Sequence, residues 1–185
     1  ALRTIQQIDL PKIDPRKRVL GIIRPTVEYL GDLTQSRHVG ILATSGTIKS
    51  QSYPLEIKKL FPDITISGEA CPMWVPLVEN NEAHMPGADY FVKQKIDELL
   101  TLDPQVDSII LGCTHYPFLR HVIEEVVGDR KIRIIDSGEA VGKRVESLLD
   151  EFGLRASKDN DARLEFLTYA SEEYRLRLMA KALEK

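Results

Sequence analysis

The chain is poor in most of the features that would mark a secreted, membrane-bound or nucleotide-driven protein. It holds two cysteines, Cys71 and Cys113, in 185 residues. Without a secretory signal they read as cytosolic thiols, not as a disulfide framework. They lie too far apart for a Cys-x-x-Cys redox pair, and no Cys/His grouping has zinc spacing. No apolar run approaches the roughly 20 residues of a bilayer span. Ala1-Leu2-Arg3-Thr4 begins no signal-type apolar stretch. There is no G-x-G-x-x-G or Walker pattern, so no nucleotide cofactor is expected. Nor is there a basic excess. Lys and Arg number 25 against 28 Asp and Glu, a net charge of -3, which argues against nucleic acid as a partner.

What is present is an ordinary folding composition, 43% apolar and 29% charged, enough to bury a core. Short apolar runs alternate with amphipathic stretches. Strands are expected at 19–23, 39–43, 64–67, 107–111, 132–135 and 163–169. Helices are expected at 1–9, 26–33, 47–61 with a kink near Pro54, 75–79, 89–102, 117–127, 141–152 and 171–183, the last capped by Ser171. Pro11, Pro15 and the basic cluster Arg16, Lys17 and Arg18 read as a loop. This alternation predicts an α/β fold with parallel sheets. A compact unit is expected over 25–132, with 1–24 and 133–185 left to form a second unit together.

The most informative stretch is L-G-C-T-H-Y-P-F-L-R, residues 111–120. It sets a thiol, a hydroxyl and an imidazole at the carboxyl end of a buried strand, just before a helix start. Open α/β sheets place their chemistry there. A free cysteine's pKa of about 8.5 falls beside a helix N-terminus or a histidine, which makes the thiolate available as nucleophile or base. Cys113 alone reads better as a small packed side chain at a strand end; the order Cys-Thr-His turns the reading toward chemistry. Thr114 can cap the helix, bind a carboxylate, or do both. His115 can assist the thiol or cap the turn. Glu79, at the end of V-P-L-V-E, can neutralise an ammonium or pair with His115; solvation at a helix end is the plain alternative. Thr44, Ser45 and Thr47 can donate to a carboxylate or serve only as turn residues. Cys71, between a strand and Pro72, reads as packing. His38, His84 and His121 stand in no motif and read as surface residues.

The L-G-C-T-H-Y-P stretch resembles the second cysteine motif of the glutamate racemases, in the aspartate/glutamate racemase superfamily. A-C-P-M-W-V-P-L-V-E (70–79) resembles that family's substrate-side glutamate loop, and I-L-A-T-S-G-T-I-K-S (41–50) its hydroxyl-rich loop. G-I-I-R-P (21–25) and I-D-S-G-E-A-V (135–141) resemble its domain-crossing segments. The family's D-S-G-V-G-G loop and its first cysteine, in A-C-N-T, have no counterpart here. Asp136 matches a later segment and does not replace that first loop.

The resemblance implies two parallel-sheet αβα lobes, the first incomplete, with substrate held between them. It implies cofactor-independent interconversion of L- and D-glutamate by proton transfer through two thiols. The product, D-glutamate, would serve bacterial peptidoglycan and cell-wall biogenesis, hence cell shape. Cys113 would be the base on one face, with His115 and Glu79 catalytic beside it. Thr114, His115, Thr44 and Thr47 would bind substrate. No metal or cofactor is implied; the setting would be cytoplasmic, with room for a homodimer. With one of two thiols, the 185-residue chain alone is expected to be inactive. A catalytically inactive fragment, or another racemase of the superfamily, is the alternative.

Overall fold

In the computed structural model the described residues are 2–31, 33–157 and the positions 160, 161, 163, 165, 167, 169, 171–173, 176, 179 and 180. The strand expected at 163–169 and the helix at 171–183 fall largely outside them. Residues 1–148 form one compact unit and 149–185 another.

The first unit is built on four parallel strands in the order β2-β1-β3-β4. These are β1 (His38–Ala43), β2 (Thr65–Ala70), β3 (Ser108–Leu111) and β4 (Arg133–Ile135). β1 pairs with β2 from His38↔Thr65 to Ala43↔Ala70, and with β3 from Val39↔Ser108 to Leu42↔Leu111. Parallel neighbours need long crossovers, and helices supply them. They are α4 (Ser45–Ser50), α5 (Ser52–Leu60), α6 (Trp74–Glu79), α7 (Pro86–Leu102) and α8 (Arg120–Val127), with a 3₁₀ turn at Tyr116–Leu119, while α3 (Ile23–Leu30) comes before β1. Ahead of them stands a helical stretch of α1 (Leu2–Thr4), a π-type turn Ile5–Asp9 and α2 (Leu10–Ile13). Behind them stands α9 (Ser137–Glu151).

Strand side chains alternate between two faces, so the sheet has a core on each side. Val39, Ile41, Ala43 and Ile110 pack with Val27 and Leu30 of α3 and Tyr53 and Ile57 of α5. Leu42, Ile109 and Leu111 pack on the other side with Trp74, Val92, Ile96, Leu99, Val122 and Ile123. All of these side chains are buried. The layers are helix, sheet, helix.

Several expected elements differ. Residues 19–22 form no strand, since among the described residues no strand lies beside them to complete a ladder. Pro11 falls in the first turn of α2, where its missing N–H is no loss. The helix expected at 47–61 breaks at Gln51, which takes the left-handed conformation with φ 53°. Pro54 falls in the first turn of α5, where proline is tolerated, so it causes no kink. α9 begins at Ser137, four residues early, because the Asp136 carboxylate accepts the Gly138 N–H at 2.8 Å and caps it. β4 pairs with β3, Ser108 with Arg133 and Ile110 with Ile135. His38 is not a plain surface residue. It is half-buried, with Nδ1 2.9 Å from Asp103 Oδ2.

Candidate active site

All four strands are parallel, so their carboxyl ends share one edge of the sheet. Thr44 follows β1, Cys71 follows β2, Gly112 and Cys113 follow β3, and Asp136 follows β4. Two backbone bonds extend the ladder past the strand ends: Gly112 N–H donates to Leu42 O at 2.8 Å, and Cys71 N–H to Ala43 O at 2.9 Å. Glycine at 112 has a steric cause. A Cβ there would lie 2.9 Å from Ala43 Cβ, 3.1 Å from Tyr53 Cε2 and 3.4 Å from Leu42 O.

After Gly112 the chain turns at once into the 3₁₀ segment, with Tyr116 N–H donating to Cys113 O at 3.2 Å. The turn brings the thiol and the imidazole together: Cys113 Sγ lies 3.8 Å from His115 Nδ1. The other ring nitrogen, Nε2, lies 2.5 Å from Glu79 Oε1, although 36 residues separate the two in sequence. Cys113, His115 and Glu79 are half-buried. Because a carboxylate can only accept, the tautomer that satisfies Glu79 carries its proton on Nε2. Nδ1 is then an acceptor facing the thiol. Thiol, imidazole and carboxylate thus form a chain along which a proton can leave sulfur, the arrangement of an activated nucleophile or base.

Thr44 and Thr47 form a second hydroxyl group at the same edge. Thr44 is the N-cap of α4 and accepts the Thr47 N–H at 3.4 Å, and the two hydroxyl oxygens lie 3.1 Å apart. Both are half-buried, and Thr114 is exposed. Thr44 with Thr47, and Cys113 with His115 and Glu79, are therefore the two sets the fold assembles. Cys71 is fully buried, and burial pushes its thiol well above the usual cysteine range.

Sequence reasoning assigned no role to two tyrosines beside the thiol. Burial, then the neighbouring Cys113, pushes the Tyr53 phenol up to about 12. Tyr116 is also buried and pushed up, and its hydroxyl donates to Cys71 O at 2.9 Å. The Gly112 contact with Tyr53 arises only when α5 closes over the strand ends, so no local pattern announces it. Arg120 reaches Asp136 at 2.6 Å and Glu124 at 3.1 Å. Burial opposes its charge, but the bonds from Asp136 and then Glu124 outweigh burial and raise its pKa. Among the described residues no three His, Cys, Asp or Glu side chains are grouped to hold a metal. No helix among them is long and apolar enough to cross a membrane.

The sequence pattern of the Asp/Glu/hydantoin racemases matches residues 14–145, which include every strand of this sheet and every residue of both sets. The chain belongs to that family. Among family members, the glutamate racemase of Streptococcus gordonii is 35% identical over 167 residues, 90% of this chain and 59% of its own length. That of Listeria monocytogenes is 33% identical over 168 residues, 91% of this chain and 59% of its own length. The chain thus spans less than two thirds of these relatives. A glutamate racemase isoform from Bacillus anthracis superposes with a TM-score of 0.84 at 27% identity, covering 98% of this chain and 67% of its own. The Francisella tularensis glutamate racemase, solved with D-glutamate, superposes at 0.72 with 26% identity, over 88% of this chain and 63% of its own. These family members share the parallel α/β architecture, so the expected fold class holds.

Proposed function

We propose that this chain carries one face of a glutamate racemase site, with Cys113 as the base on that face. The observation that carries the reading is the chain from Cys113 Sγ through His115 to Glu79, at 3.8 Å and 2.5 Å, at the carboxyl edge of the sheet. The glutamate racemase relatives support the substrate. The D-glutamate complex of the Francisella protein supports a ligand of that kind.

In this reading the Cys113 thiolate takes the α-proton of glutamate and becomes a thiol, and the electron pair stays on the α-carbon. A thiol on the opposite face returns a proton there and inverts the centre. His115, hydrogen-bonded to Glu79, takes the thiol proton to leave the thiolate and releases it to water, so that it can later take the proton that sulfur gains from substrate. Thr44, Thr47 and Thr114 donate to the substrate carboxylates. The reaction needs no metal and no cofactor, because proton transfer alone inverts the centre.

Residues 1–22 and the segment after Asp136 are proposed to serve the other lobe. Leu2, Ile5, Ile8, Ile13, Leu20 and Ile22 are exposed. Large apolar side chains left exposed in such number over one short segment are consistent with a covering partner. We place the protein in the cytoplasm, as a source of D-glutamate for peptidoglycan, with a second copy of the chain as its partner in a homodimer.

The test is to incubate L- and D-glutamate separately with the 185-residue chain in deuterated buffer. Circular dichroism follows inversion, and mass spectrometry follows deuterium at the α-carbon. The chain supplies one base only, so no inversion at an enzymatic rate is expected. Exchange without inversion, confined to one enantiomer, supports the reading. Growth of the opposite enantiomer would show a second base within these residues and refute the one-face assignment. The burial of Cys71, which leaves Cys113 as the one thiol at the site among the described residues, favours one second reading, a family member that binds glutamate without inverting it. Tight binding without exchange is its mark.

A further inference from the structure

We propose that His84 and His121, which stand in no motif, form a clamp that positions Glu79 against His115. The inference rests on the reading of Cys113, His115 and Glu79 as a proton chain. The two imidazoles are stacked, with ring centroids 4.4 Å apart and planes 25° from parallel. They belong to the same two pieces of chain that supply the proton chain. His84 lies five positions beyond Glu79, in the loop that leaves α6. His121 lies six positions beyond His115, in the first turn of α8.

The Glu79–His115 contact joins two elements across 36 residues, and at 2.5 Å it leaves little room for error. The inner end of α6 is well anchored. The Trp74 and Tyr116 rings lie 4.8 Å apart, and the Tyr116 hydroxyl donates to Cys71 O. Glu79 is at the other end. There the chain reverses through Asn81, at φ 62°, with Glu82 N–H donating to Leu77 O at 2.7 Å and Asn81 N–H to Val78 O at 3.1 Å. Between the end of α6 and Met85, the only buried side chain is Ala83. The His84–His121 stack is the ring contact by which this loop meets α8. Both rings are exposed, so the stack ties the loop after α6 to the start of α8 at the surface, while Trp74 and Tyr116 tie the opposite end of α6 from within.

A stack of two aromatic rings adds stabilisation beyond its area, and it constrains tilt as well as distance. Side chains that hold a reacting pair in register act without touching substrate. His84 and His121 are therefore positioning residues, not catalytic ones.

The test uses the intact chain and the rate at which iodoacetamide alkylates Cys113, read by peptide mass spectrometry across pH. Cys71 is fully buried and serves as the unreactive control. Glu79→Gln is expected to move the alkylation profile toward higher pH. His84→Ala and His121→Ala are expected to move it the same way, slowing alkylation at pH 7 by about two- to thirteen-fold, the scale of one aromatic pair. The double variant should be no slower than either single one, and His121→Phe, which keeps a stacking ring, should restore the profile. A higher plateau rate without movement along the pH axis would mean that the variants only uncover the thiol, and would overturn the clamp. So would a shift in Glu79→Gln with none in the histidine variants, which leaves the proton chain standing. If Glu79→Gln leaves the profile in place, both the clamp and the proton chain fail, whatever the histidine variants do.

Discussion

Gly112 is where the close approach of three elements can be tested with a single methyl group. In Gly112→Ala the new Cβ would meet Ala43 Cβ at 2.9 Å, Tyr53 Cε2 at 3.1 Å and Leu42 O at 3.4 Å. None of these yields easily. Ala43 Cβ moves only with the backbone of β1. Leu42 O already accepts the Gly112 N–H. Tyr53 is 2% exposed and packed among Ile57, Ile64 and Ile110. Relief must come from spreading β1 from β3 or from displacing Tyr53, and overpacking of this kind costs about 1–3 kcal/mol. Trp74 is the only tryptophan and is fully buried, so its fluorescence reports unfolding. With a urea slope of about 1–3 kcal/mol/M, the midpoint should fall by roughly 1 M. Gly46→Ala is the control, since nothing lies within 4 Å of a Cβ there. In the first turn of α4 it should be neutral or stabilise by up to about 1 kcal/mol. Equal midpoints for wild type and Gly112→Ala would refute the claim that β1, β3 and α5 close tightly behind the thiol.

At the other edge of the sheet, Asp107 accepts from the Thr34 hydroxyl at 2.7 Å, Gln35 N–H at 2.7 Å, Ser36 N–H at 2.6 Å and the Ser108 hydroxyl at 2.9 Å. Asp107→Ala strands these donors and should cost about 2–4 kcal/mol in the same urea assay; a loss under about 0.5 kcal/mol would show that water replaces the carboxylate. Asp107 and Asp103 also set an acid limit. Burial opposes both charges, but the donors around Asp107, and the His38 and Gln105 bonds to Asp103, hold both carboxyls below the ordinary value. A lowered folded pKa gives stability that is present above the unfolded value of about 3.9 and is lost as pH falls through the lower folded value. Melting temperature should therefore drop steeply below about pH 4, and less steeply in Asp107→Asn; parallel acid limbs would exclude Asp107 as a contributor.

Much of the αβα order was legible because 39–43 (V-G-I-L-A) and 109–111 (I-I-L) are short runs without a polar side chain, the mark of strands buried on both faces. The carboxyl-edge location of Cys113 followed from the turn signal G-C-T-H after such a run. The Cys113–His115 proximity was local. Partnership with Glu79 was legible only as one of two options, because V-P-L-V-E fixes a helix end but not what it faces. Val19 to Ile23 misled, since an apolar β-branched run becomes a strand only when a neighbour offers a ladder, and sequence carries no such information. Gln51 was invisible for a related reason: a non-glycine residue in the left-handed region is held by its surroundings, here the junction of two short helices. The histidine pairings, His38 with Asp103 and His84 with His121, join residues 65 and 37 positions apart and leave no periodic trace.

The central claim is that Cys113, not Cys71, is the thiol that moves a proton. It is tested most directly by joining this chain to the N-terminal portion of a glutamate racemase relative, so that both faces of the site are present. Racemisation of glutamate is then followed by circular dichroism in three proteins: the parent, Cys113→Ser and Cys71→Ser. Cys113→Ser should abolish racemisation while its melting temperature stays near the parent's, and Cys71→Ser, changed at a buried site with no partner in the proton chain, should keep most of it. Survival of racemisation in Cys113→Ser, with its loss in a folded Cys71→Ser, would reverse the assignment.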